Sequence, residues 1–152
     1  MKNAKNSTAK VLSEQQVRDI LDAFEGLRML HSRMPALPKG ITSRHLRVID
    51  QIERLGRKGP VRVSDVSDVL HVTRPGITKV VNELTEQKYV IKDSDPEDSR
   101  LVLLSLTDDG RDIYETYVRG YQSKLAECWG KVPDKDIRTM LSTMQELLGL
   151  MP

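Results

Sequence analysis

Cysteine is almost absent from this sequence: Cys128 stands alone among 152 residues. One thiol cannot close an internal disulfide, and the paired cysteines that frame structural metal sites are excluded by the same count. A lone cysteine suits a reducing compartment, so we expect a cytoplasmic protein. No apolar run approaches the roughly 20 residues that a bilayer-spanning helix needs, so no membrane partner is expected. The opening MKNAKNSTAKVL carries lysine without an apolar stretch, unlike a secretory signal. The three histidines (His31, His45, His71) lack metal-ligand spacing. A Gly-rich phosphate loop, His-Glu-x-x-His and Cys-x-x-Cys are all missing. Asp93, Asp95, Glu97 and Asp98 imitate the start of a calcium loop, but Asp98 stands where that loop needs Gly and Leu104 where it needs a bidentate Glu. One Cys and three scattered His assemble no nucleophile, base and orienting group. We expect no enzyme, no cofactor and no metal.

What is present is an ordinary globular mixture, 38% apolar and 30% charged, sized for one domain. Net charge is only +2, yet it is unevenly spread. Residues 35–63 hold seven basic side chains against two acids, whereas residues 107–152 hold six against eight. That asymmetry permits polyanion binding and equally suits a solvated basic face.

Residues 1–12 are polar, basic and aperiodic, and read as a flexible tail. From Ser13, an oxygen cap followed by Glu14, the residues Val17, Ile20, Leu21, Phe24, Leu27, Leu30 and Met34 recur at helical spacing. Pro35, Pro38 and Gly40 end that helix in a bend. A second helix is predicted over Ser43 to Leu55, with Leu46, Ile49 and Ile52 inward, and Val61 to Val63 suits a single strand. A short helix from Ser64 to Leu70 offers Val66, Val69 and Leu70. The chain turns at His71-Val72, and Thr73 caps a helix running to about Lys88 with Ile77, Val80, Val81 and Leu84 inward. Pro75 is tolerated there because first-turn amides lack intrahelical partners. Tyr89 to Lys92 and Leu101 to Leu106 read as hairpin strands around a polar loop. Thr107 caps a helix carrying Ile113, Tyr117, Val118, Tyr121, Leu125 and Cys128. After Gly130 and Pro133, a last helix aligns Ile137, Met140, Leu141, Met144, Leu147 and Leu148.

Two short helices and a hairpin following a helix make a winged helix-turn-helix. The fold class expected is mostly α with a small β-hairpin wing. A tail (1–12) leads to an N-terminal dimerisation helix and bend (13–40), the winged region (41–106) and C-terminal dimerisation helices (107–152). The flanking helices carry apolar stripes wider than a small winged domain covers, so a second copy of the chain is the expected partner.

Three segments in order, ITSRHLRVIDQI, GPVRVSDVSDVLHVTRPGITKVVNELTEQKYV and DPEDSRLVLLSLTDDG, resemble the MarR family of bacterial winged-helix transcription regulators. The last segment is the most specific, with Asp98 and Arg100 in an Asp-x-Arg at the wing tip, then Leu106-Thr107 and Gly110 opening the next helix. The resemblance implies a homodimer on a pseudo-palindromic duplex, acting as a repressor that a small organic effector releases. The alternative is a winged-helix protein-interaction module without sequence-specific DNA binding. Two departures stand out: Arg62 occupies a position where many members have a Ser or Thr cap, so the short helix is expected from Ser64, and Gly76 interrupts the recognition helix. The first helices also lack the Cys of the peroxide-sensing branch, which argues against that mechanism.

The expected DNA-binding residues are Ser64, Thr73, Arg74, Pro75, Thr78, Lys79, Asn82, Asp98 and Arg100. Arg suits guanine and Asn suits adenine, while Lys and Thr more often fix the backbone. Outside the winged pattern, the helical set would suit an ordinary solvated face. The resemblance sends Arg100 into the minor groove with Asp98 holding the loop; the plain alternative is a surface ion pair. It also implies an effector crevice between the first, second and fifth helices, near His31 and His45, with Met34 and Tyr117 joining. Cys128 reads as a small buried hydrophobe and Trp129 as a dimer or core anchor.

Overall fold

The computed structural model describes residues 11–29, 35–96, 98 and 100–150. These fall into two units, residues 1–34 and 35–152. In the first, helix α1 (Glu14–Arg28) begins where the sequence places it. Ser13 Oγ accepts the Gln16 N–H at 3.2 Å and Gln16 Oε1 accepts the Ser13 N–H at 3.0 Å, a reciprocal cap that occupies two orphan donors. Val17, Leu21, Phe24 and Leu27 are exposed along one stripe. Leu30, His31 and Met34 lie outside the described residues, as does most of the tail.

The second unit holds α2 (Ser43–Gly56), α3 (Val63–Leu70), α4 (Arg74–Glu86), β1 (Val90–Ser94), β2 (Val102–Leu106), α5 (Asp108–Ile113), a π-helical stretch (Tyr114–Arg119), α6 (Gly120–Trp129) and α7 (Asp134–Gly149). Its core forms where α2 meets α4, β2 and the π stretch. Leu46, Val48, Ile49 and Ile52 of α2 are buried with Val66 of α3, with Ile77, Val80, Val81 and Leu84 of α4, and with Val90, Leu104, Leu106, Ile113 and Tyr114. Val48, outside the predicted inward set of Leu46, Ile49 and Ile52, is wholly buried as well. Helix α3 buries less than predicted: Val69 is 48% exposed because eight residues bury only one narrow face.

The boundaries moved for identifiable reasons. Helix α3 starts at Val63, because Asp65 Oδ2 accepts the Arg62 N–H at 2.7 Å and so caps the end without a Ser or Thr. The expected Val61–Val63 strand shrinks to a bridge between Arg62 and Leu103, secured by the Leu104 N–H on the Val61 carbonyl at 2.8 Å. Strand β1 starts at Val90 because the Tyr89 N–H closes α4 on the Leu84 carbonyl at 2.9 Å. From there it pairs antiparallel with β2, Val90 opposite Leu106 through Ser94 opposite Val102.

The helix expected after Thr107 is interrupted by the π stretch. There the Gly120 N–H bonds the Glu115 carbonyl five residues back, and the extra residue rotates the apolar periodicity. Beyond it α6 buries nothing, so Cys128 is exposed and not the small core residue expected, and Trp129 is 46% exposed. Helix α7 likewise has no buried residue and exposes Met140, Leu141 and Leu148.

The Thr107–Gly110 motif has a clear physical purpose. Thr107 Oγ1 donates to the Lys88 carbonyl at 2.7 Å and accepts the Gly110 N–H at 2.9 Å, while the Thr107 N–H donates to the Tyr89 carbonyl at 3.1 Å. This docks α5 on the α4–β1 turn, where a Cβ on Gly110 would lie 2.1 Å from the Tyr89 oxygen. Gly110→Ala should therefore destabilise by about 1–3 kcal/mol or more, because backbone must move. Gly76→Ala meets only the side-chain ends of Val72 and Thr73, at 3.1 and 3.2 Å, and gains helix propensity. Thermal denaturation should separate the two, with a large loss for the first and little change for the second.

Candidate nucleic-acid interface

Helix α4 has one closed face and one open face. Thr73 caps it by accepting the Gly76 N–H at 3.4 Å, and Pro75 fits the first turn. With Ile77, Val80, Val81 and Leu84 turned inward, Arg74, Pro75, Thr78, Lys79 and Asn82 line one shallow outer surface with Glu83 and Glu86. Five of the sequence-predicted residues are thus brought together. Thr73 is exposed beside them at the cap, and Ser64 is half-buried on α3, outside that surface.

The surface is tied to its surroundings by Lys92, which no motif marks, and by His45 and Arg62 in roles other than those expected of them. Lys92 on β1 donates from Nζ to Asn82 Oδ1, joining the first wing strand to the outer face of α4. On α2, the Thr42 N–H donates to His45 Nδ1 at 3.0 Å. Nδ1 is therefore the unprotonated nitrogen, and Nε2–H donates to Glu83 at 2.9 Å. The only cue to that pair in the sequence was an apolar pattern that turns residue 45 inward. At the base of the wing loop Arg62 Nη2 reaches the buried Asp95 carboxylate at 3.0 Å, which makes Arg62 a wing anchor as well as a helix cap.

At the wing, Arg100 Nε and Nη2 meet the two Asp98 carboxylate oxygens at 2.9 and 3.0 Å, and the Arg100 N–H adds a third bond at 3.1 Å. The Arg100 side chain, then its backbone N–H, hold the Asp98 carboxyl below the usual carboxylate range, and the guanidinium is correspondingly held charged. Arg100 is nonetheless 87% exposed, a cation fixed at its base and open to solvent.

Residues 39–101 match the model of the MarR family. Its winged region is thus similar to that family. Among solved structures, the fold resembles FabT of Streptococcus pneumoniae in complex with DNA, at TM-score 0.71 and 23% identity over 90% of this chain and 96% of that one. It resembles BpsR of Bordetella bronchiseptica, whose DNA binding is regulated by 6-hydroxynicotinic acid, at 0.67 and 19% over 88% and 98%. The apo form of wild-type MarR from E. coli gives 0.63 and 19% over 91% and 98%. At such identities the likeness to these structures is one of fold. No curated protein matches the sequence significantly.

The expected effector residues are not gathered into one site among the described residues. His31 and Met34 lie outside the described residues, and Tyr117 is half-buried in the π stretch. His45 is buried with both ring nitrogens engaged, so a ligand could use it only by breaking the cap of α2 or the tie to α4.

The depressed Asp98 carboxyl supplies a pH test. An acid whose folded value is lowered contributes above its ordinary value, about 3.9, and loses that contribution as pH falls through the folded value. Carboxyl NMR titration should find Asp98 ionised below the range of ordinary aspartates, and Arg100→Ala should return it there. An ordinary titration in the parent protein would mean the fork is not formed.

Proposed function

We propose that this protein is a sequence-specific DNA-binding transcriptional regulator, a homodimer on a pseudo-palindromic operator, acting as a repressor that a small organic effector releases. The observation that carries the DNA reading is the outer face of α4. It places Arg74, Thr78, Lys79 and Asn82 together, keeps Glu83 and Glu86 to its later half, and is backed by a buried inner face that fixes its orientation. Such a helix fits the major groove, where its first turns meet base edges. Arg100, held by Asp98 at the hairpin tip, suits the narrow minor groove, whose potential attracts guanidinium groups. The DNA-bound FabT and the effector-regulated BpsR share this fold, which supports both halves of the proposal.

The dimer is supported by what each unit leaves uncovered. Val17, Leu21, Phe24 and Leu27 on α1, and Met140, Leu141 and Leu148 on α7, are apolar and exposed. Covering such stripes with a second copy gains about 25 cal/mol per Å² of apolar area removed from water. Light scattering at micromolar concentration should give twice the chain mass; a stable monomer would contradict the proposal.

For DNA, Arg74→Ala should weaken the selected duplex by about 1–3 kcal/mol and relax preference at one position per half-site. Lys79→Ala should weaken all duplexes alike and reduce the salt slope by about one per contact removed. Arg100→Ala and Asp98→Ala should each weaken binding, less than additively in the double variant, because both act through one positioned guanidinium. Fluorescence anisotropy at several salt concentrations reads all of these effects. Unchanged binding in Arg74→Ala, Lys79→Ala and Arg100→Ala together would sink the proposal.

A further inference from the structure

The open face of α4 offers less hydrogen-bonding variety than its sequence suggests. Asparagine suits adenine because it pairs an acceptor and a donor with the N6 donor and N7 acceptor of that base. Here Asn82 Oδ1 accepts from Lys92 Nζ. An ammonium group only donates, so the orientation of the amide is fixed, oxygen toward Lys92 and NH2 away from it. Thr78 is committed in the opposite sense, its only hydrogen donated to the Arg74 carbonyl at 2.9 Å, so its hydroxyl can only accept from a partner. Glu83, the nearest acid on that surface, already accepts from His45 at 2.9 Å. The donors that remain are the Arg74 guanidinium, the Lys79 ammonium and the Asn82 NH2, with Lys92 beside Asn82 from β1, while Thr78, Glu83 and Glu86 supply acceptors.

We propose that Asn82 and Lys92 form one donor unit, built across α4 and the first wing strand, that reads the acceptor-only major-groove edge of guanine and rejects adenine. This rests on the reading that α4 enters the major groove. Guanine turns two acceptors, N7 and O6, toward the groove, and both attract the Asn82 amide hydrogens and the Lys92 charge. Adenine replaces O6 with the N6 amino group, whose hydrogens face the same positive end and find Asn82 Oδ1 already engaged. Lys92 is thus a positioning residue that converts a two-way amide into a one-way donor. The residue type at position 82 alone points to the wrong base.

Binding-site selection from random duplexes, run in parallel on the full-length protein and four variants, tests this. The position read by Asn82 is the one whose preference disappears in Asn82→Ala. There the parent protein should favour guanine over adenine by about tenfold. Lys92→Met, which keeps length but loses the ammonium, should bring the two bases to parity or reverse them, with other positions unchanged. Lys92→Arg should retain guanine, whereas Lys92→Glu should favour adenine. Adenine at that position in the parent protein, no position responding to Asn82→Ala, or an unaltered guanine preference in Lys92→Met would each overturn the inference while leaving DNA binding standing. A parent protein that selects no duplex would overturn the DNA reading beneath it, and the inference with it.

Discussion

Everything the second unit presents to a partner depends on the burial of Ile77, Val80, Val81 and Leu84 beneath α4. Those four side chains are at most 2% exposed, packed where α2 and α3 meet the helix. Close packing at that density leaves α4 no freedom to roll, so the direction of its outer residues is set from below. A helix with the same polar residues and a looser inner face would present an average of several surfaces. Recognition of a fixed edge needs one surface, held still.

Polar ties around that core refine the same constraint. His45 links the capped start of α2 to Glu83 on α4, Lys92 links β1 to Asn82, and Arg62 links the start of α3 to Asp95 at the wing base. The Thr107 hydroxyl and Gly110 fasten α5 to the α4–β1 turn. Each tie joins two elements that differ in sequence position by 10 to 38 residues. Helix α4, the hairpin and the following helix are thereby fixed to one frame.

Much of this frame was legible in the sequence. Apolar spacing placed α2 and α4, Thr107 and Thr73 marked helix starts, and the short Tyr-Val and Leu-Val runs gave the hairpin. The errors have a common physical source. Strand limits shifted because the Tyr89 N–H serves α4 before β1 begins, and α3 lengthened because Asp65 supplied the cap that Arg62 lacks. The π stretch carries no periodic signature, since one inserted residue looks like a slightly broken stripe; Cys128 is exposed because no face of α6 is buried. Residue types singled out Arg74, Thr78, Lys79, Asn82, Asp98 and Arg100, of which the first four share one outer surface of α4. The long-range ties around them were invisible: His45 to Glu83, Lys92 to Asn82 and Arg62 to Asp95 are contacts that no local pattern encodes.

In the proposed complex α4 meets base edges in the major groove, twice, from two copies of one frame. Dimethyl sulfate protection on a selected duplex tests it most directly, because methylation at guanine N7 reports the major groove alone. Protected guanines should fall in two clusters centred about one helical turn, roughly 10 base pairs, apart or a multiple of that spacing. Binding that leaves every guanine N7 as reactive as in free DNA would contradict it.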